Sequence, residues 1–101
     1  MKLLVITGAI IFDEEIAKIL DQSNISIYSR SDISGHKKKG TVDLSDNWFA
    51  SSNGYQQSVM FFAFTDLERV EDVMKRVNIF NENLDSASPL RAFVLKVENH
   101  N

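Results

Sequence analysis

The run "GHKKKG", Gly35 to Gly40, places one imidazole, His36, and three ammonium groups, Lys37, Lys38 and Lys39, between two glycines. Cations beside unencumbered backbone amides form the kind of concavity that holds a phosphate or a carboxylate. Gly35, His36, Lys37, Lys38 and Lys39 are therefore candidate effector ligands. In the polar stretch that follows, Trp48, Phe49 and Tyr55 stand out as large aromatics. Side chains of this type anchor protein interfaces, which makes these three the candidate partner-binding residues.

Other chemistries lack their residues. With no cysteine, disulfides, thiolate metal sites and thiol nucleophiles are excluded. There is no phosphate-cradling GxxxxGK[ST], no nucleophile-elbow GxSxG and no HExxH. Asp13, Glu14 and Glu15 read as charges at a helix start, so no catalytic residue is assigned. A metal would have to use His36, His100, Asp43, Asp46 or methionines, and two histidines so far apart make no ligand pattern. No metal ligand is assigned either.

Composition narrows the class further. A chain of 101 residues with 44% hydrophobic content is the size and type of one globular domain. Its formal charge of −3 lacks the basic footprint of a nucleic-acid binder. No apolar segment approaches the ~18 residues of a membrane span, so direct membrane insertion is not expected. The opening "MKLLVITGAIIF" is interrupted by Thr7 and Gly8 and runs at once into "DEEIAKIL", which reads as a buried strand before a helix rather than a signal peptide. A cytoplasmic location is expected.

The elements that must position these residues follow from periodicity. Residues 2–8 form an apolar run without helical period, hence a first strand. Asp13 is expected to cap the first helix, whose stripe is Phe12, Ile16, Ile19 and Leu20, and "DQSN" stops it. "ISIYSRSDIS" from Ile25 alternates like a strand with one exposed face. Residues 58–65, "SVMFFAFT", form the third strand. Asp66 then caps a second helix with Leu67, Val70, Val73, Met74, Val77 and Phe80 at helical spacing and Glu71 and Lys75 as an i,i+4 pair. Residues 90–98, "LRAFVLKVE", form the fourth strand.

The order β-α-β-β-α-β is the ferredoxin-like arrangement, an α+β fold in which two helices cover one face of a four-stranded antiparallel sheet. Strands one, three and four carry apolar residues at both parities. The helix-free face should therefore also be dry, and another copy of the chain is the simplest cover. The excursion between strands two and three, about 36–57, exceeds the ~12 to 15 residues of an ordinary loop and reads as a recognition arm.

Taken together, the opening "MKLLVITGAIIFDEEIAKIL", the segment "SGHKKKG" at the base of a long loop and the last strand "FVLKVE" resemble the PII family, the nitrogen regulatory protein P-II type of signalling protein, over nearly the whole chain. The resemblance implies one PII-like domain over 1–101. It implies a homotrimer whose sheets pack into a central barrel and whose T-loop, here the excursion, engages a protein partner, often a membrane transporter. It also implies an effector between subunits, an adenine nucleotide in that family. Gly35 and Lys37 to Lys39 would stand for the T-loop base, and Arg91 is the one cation in "NENLDSASPLRAF" before the last strand. That segment lacks the glycines of the family's B-loop, which leaves the effector open. Two alternatives remain: a CutA-like protein that binds divalent metal, and a small ferredoxin-like oligomeric enzyme.

The recognition reading predicts that deleting residues 38–56 leaves assembly and thermal stability nearly intact and abolishes partner binding. Sedimentation and a melting curve of the truncated protein check this; unfolding or collapse to single subunits would make the excursion structural.

Overall fold

An eight-residue strand with no polar side chain but Lys2 and Thr7 needs neighbours on both sides, and Lys2–Ala9 has them. The computed structural model describes residues 1–36, 55–84 and 88–101. Within them the order is β1 (Lys2–Ala9), a 3-10 turn (Ile10–Phe12), α1 (Asp13–Gln22), β2 (Ser29–His36), β3 (Tyr55–Thr65), α2 (Leu67–Glu82) and β4 (Arg91–Lys96). The sheet has the order β2-β3-β1-β4, and each neighbouring pair is antiparallel. The expected ferredoxin-like α+β architecture is present.

Register separates the two faces. Rungs Leu4↔Ala63, Leu4↔Val94, Ile6↔Phe61 and Ile6↔Ala92 point their side chains at the helices. There they meet Ile16, Leu20, Val73 and Val77 in one core cluster. Gly8 sits on the same face opposite Val59. A Cβ at Gly8 would lie 2.5 Å from Leu90 Cδ2 and 3.4 Å from Ile16 Cδ1. Leu90 is buried and therefore fills the socket that glycine leaves.

The helix ends explain where the sequence reading erred. Asp13 was expected as the cap of α1, but Phe12 is the N-cap and makes no side-chain cap hydrogen bond. Asp13 instead begins the helix and accepts two hydrogen bonds from Arg30, Nε to Oδ1 at 2.7 Å and Nη2 to Oδ2 at 2.9 Å. Arg30 Nη2 also lies 2.8 Å from Asp32 Oδ1, so the ion-pair set ties the start of α1 to β2. At the other end of α1, Asn24 adopts φ 62°, with its N–H on the Asp21 carbonyl at 3.1 Å and the Ile25 N–H on Leu20 at 2.9 Å. This is a Schellman cap with asparagine in place of glycine.

That cap moves the start of β2. The strand was read from Ile25, but Ile25 gives its N–H to the helix cap, and pairing with β3 begins only at Ser29↔Phe62. The alternation of Ile25 and Ile27 thus belongs to a connection in which Ile25 is buried and Ile27 is 86% exposed.

α2 starts as expected. The Asp66 carboxylate accepts the Arg69 N–H at 2.9 Å, and this bond holds Asp66 below its ordinary carboxylate range. Arg69 also bonds the Asn24 carbonyl from Nε at 3.1 Å, joining the start of α2 to the end of α1. Among the described residues the i,i+4 ion pair on this helix is Asp72 with Arg76 at 3.0 Å rather than Glu71 with Lys75. The hydrogen bond from Arg76 lowers the Asp72 pKa. Leu67, expected on the buried stripe, is exposed.

The β2-β3 hairpin is longer than the apolar run implied. Rungs Ser34↔Gln57, Gly35↔Gln56 and His36↔Tyr55 continue the ladder past Ser58, because backbone pairing does not require apolar side chains. Tyr55 therefore begins a strand, and a deletion that spares the sheet is confined to residues 37–54. Lys37, Lys38, Lys39, Trp48 and Phe49 lie outside the described residues.

Gly8→Ala is expected to destabilise the fold by about 1–3 kcal/mol, since the added methyl would sit 2.5 Å from Leu90 Cδ2 and force that buried side chain to shift. Chemical denaturation reads this as a lower midpoint, and a midpoint equal to wild type would show that the socket is not tight.

Candidate functional site

The helix-free face of the sheet divides into an apolar half and a polar half. Successive rungs put Phe64, Leu3 and Leu95 in one row and Phe62, Val5 and Phe93 in the next. Phe64 is 58% exposed and Leu95 47%, although both are strand residues. Ile27 and Met1 line the same surface recess as Phe64, extending the apolar row past the sheet end. A contiguous exposed patch of this kind is uncommon on a soluble surface unless something covers it.

Further along the strands the character changes. The next row is Ser31, Met60, Thr7 and Arg91, and beyond it lie Ile33, Ser58 and Ala9. Among the described strand positions of this face, Arg91 is the one charged residue. Its Nε is shielded from water and has no hydrogen-bond partner among the described residues, and the buried Ser58 Oγ is in the same condition. An unpaired buried donor costs about 1–3 kcal/mol, more when charged. A guanidinium held in this way is positioned to take an anion.

Among the described residues, the sequence-derived ligands do not come together in one chain. Arg91 opens β4 at one edge of the sheet, while Gly35 and His36 close β2 at the other, with Gly35 buried and His36 exposed. Three strand spacings of about 4.8 Å across and four residues of about 3.3 Å along put the two groups on the order of 20 Å apart. One small ligand can touch both only if they belong to different copies. Tyr55 lies opposite His36 at the hairpin end.

Several residues of the site escaped the sequence reading. Thr7 and Ser58 looked like minor interruptions of apolar strands, yet both are buried on the polar half of the open face. Ile27 was read as an inward strand residue. Among the described residues no three His, Cys, Asp or Glu side chains gather as a metal site. No described helix is long and apolar enough to cross a membrane.

The class of protein that this topology defines is the ferredoxin-like α+β domain. No known family model matches the sequence, and no curated protein is significantly similar to it. Solved structures show the likeness. A DUF3240 family protein from Shewanella baltica OS155 matches with a TM-score of 0.66 at 14% identity, over 99% of this chain and 92% of that one. CPII, a nitrogen regulatory PII-like protein from Thiomonas intermedia K12 bound to ADP, AMP and bicarbonate, matches with a TM-score of 0.62 at 17% identity, over 98% and 93%. A PII-like signalling protein from Thermus thermophilus matches with a TM-score of 0.61 at 13% identity, over 93% and 83%. The chain has the fold of PII-like proteins.

If Arg91 serves a ligand and not the fold, Arg91→Met keeps or raises thermal stability, because it removes a buried Nε without a partner among the described residues and leaves an apolar stem. A fall in stability of more than about 1 kcal/mol would assign the arginine a structural role.

Proposed function

We propose that this chain is a PII-like regulatory protein, a homotrimer that binds a small anionic effector between copies and engages a partner protein through residues 37–54. The observation that carries the reading is Arg91, the single charge on an otherwise apolar or neutral open face, with its Nε shielded and unpaired among the described residues. A cation is tolerated there when a negative ligand completes it.

The geometry of the sheet supports the same assembly from another side. The row of Phe64, Leu3 and Leu95 asks for an apolar cover, and a second copy of the same face supplies one. Packing copies by these faces can also bring the β2-β3 hairpin of one chain toward Arg91 of another. The lysines of "GHKKKG" follow directly in sequence after β2 and would add to the same anion site. The role is one of binding, without catalysis. Partner and effector then share one region, since the segment that reaches a target begins where the ligand is held.

CPII, with the same fold, was solved with ADP, AMP and bicarbonate, all of which present negatively charged oxygens. The shared chemistry is an oxyanion, and the missing B-loop glycines make close backbone contact to a polyphosphate harder here. The partner that the PII resemblance implies is a protein, a membrane transporter being the common case.

Sedimentation and calorimetry test the reading together. The protein is expected to sediment as a trimer at micromolar concentration, and Phe64→Glu with Leu95→Glu to give folded single subunits that no longer bind the effector. Titration with ADP, AMP and bicarbonate, each alone, is expected to give binding to at least one, weakened about tenfold or more in Arg91→Gln. A wild-type protein that stays a single subunit, or an anion whose affinity ignores Arg91, would overturn the proposal.

A further inference from the structure

Arg91 is the first residue of an edge strand, and its only ladder neighbour is Thr7 of β1. The end of an edge strand is where a ladder frays first. Immediately before it, however, Leu90 is held at three points. The Asn81 side chain, in the last turn of α2, donates from Nδ2 to the Leu90 carbonyl at 2.9 Å. The Leu90 N–H donates back to Asn81 Oδ1 at 2.8 Å. The Leu90 side chain fills the Gly8 socket described above, with 1% of its surface exposed.

The two hydrogen bonds form a closed ring of the kind that joins opposed residues in an antiparallel ladder. A carboxamide has one acceptor and two donors in one plane, so asparagine can stand in for a missing strand partner. Here it holds Leu90 just beyond the last paired rung of β1 and β4, Thr7↔Arg91. Arg91 follows Leu90 by a single peptide bond, so the clamp on Leu90 fixes the chain directly before the Arg91↔Thr7 rung.

We propose that Asn81 is a positioning residue for Arg91: through Leu90 it holds the guanidinium in the orientation that receives the effector anion. This rests on the proposed function for the ligand, though not for the clamp itself. Binding then avoids the ordering cost of an end-of-strand arginine, which is preorganisation in its usual sense. The clamp also links the C-terminal turn of α2 to the ligand, so displacement of either one is felt by the other.

The test uses the full-length protein and ADP as the probe, with the exchange rate of the Arg91 Nε–H by NMR as a second readout. Asn81→Ala removes both bonds, and Asn81→Asp at pH 7 keeps an acceptor for the Leu90 N–H while losing the donor. Both variants are expected to keep the trimer mass and the slow amide exchange of β1. Affinity for ADP is expected to fall on the order of tenfold in Asn81→Ala and less in Asn81→Asp, with Nε–H exchange faster in the same order. Unchanged Nε–H exchange in both variants overturns the inference, whatever the affinities. If wild-type protein does not bind ADP, the nucleotide reading fails and the clamp is judged on exchange alone. If Asn81→Ala does not fold, Asn81→Asp decides by the same two measurements.

Discussion

Everything in this fold depends on β1 being enclosed on three sides and apolar on the fourth. It has β3 and β4 as ladder neighbours, helices on one face, and on the other a surface too apolar to be left in water. A strand in that position has no polar side to offer, and Leu3, Leu4, Val5 and Ile6 follow from it directly. The rows from Lys2 to Ala9 all pass through β1, and their character changes along it. Leu3 and Val5 make the first two rows hydrophobic, and Thr7 makes the third polar.

The change of character at Thr7 separates the two surfaces on which the proposed assembly and the proposed recognition rest. Apolar burial contributes roughly in proportion to area and has no directional demand, so the rows through Leu3 and Val5 suit a symmetric contact. The row through Thr7 carries hydroxyls and one guanidinium, whose interactions are directional and worth little unless matched. A single face therefore holds two kinds of surface within one strand length. An oligomer closed by the first kind leaves the second kind facing a confined space, in which a charge interacts more strongly with a ligand than it would in bulk water.

Much of this was legible in the chain and some was not, for physical reasons. The apolar runs of β1 and β3 and the helical spacing of α2 are strong periodic signals, and the order of elements followed from them. The Asp66 cap was readable because a carboxylate one residue before a helix has a stereotyped use. Asp13 looked equivalent, yet its carboxylate is claimed by Arg30, a residue 17 positions away. Ile27 kept strand alternation although the Schellman turn had already committed the preceding backbone. The polar rungs from Ser34 to His36 gave no pattern, since a ladder beyond the core leaves no hydrophobic trace. Asn81 looked like one more polar residue on a helix face, and its two bonds to Leu90 depend on a contact that no local pattern encodes.

The candidate ligands were found by type, but their separation alters what they mean. Gly35 and His36 on one edge strand and Arg91 on the other cannot share a small anion inside one chain, so a common site implies more than one subunit. The dependence runs in both directions: a ligand that bridges copies stabilises the assembly by mass action, and the assembly creates the ligand's site. An effector bound in this way senses both the state of oligomerisation and the base of the hairpin from which residues 37–54 depart. Under the proposed function, occupancy at Arg91 would change what surrounds the end of the Ser29–His36 strand, and no hinge within the domain would be needed for regulation.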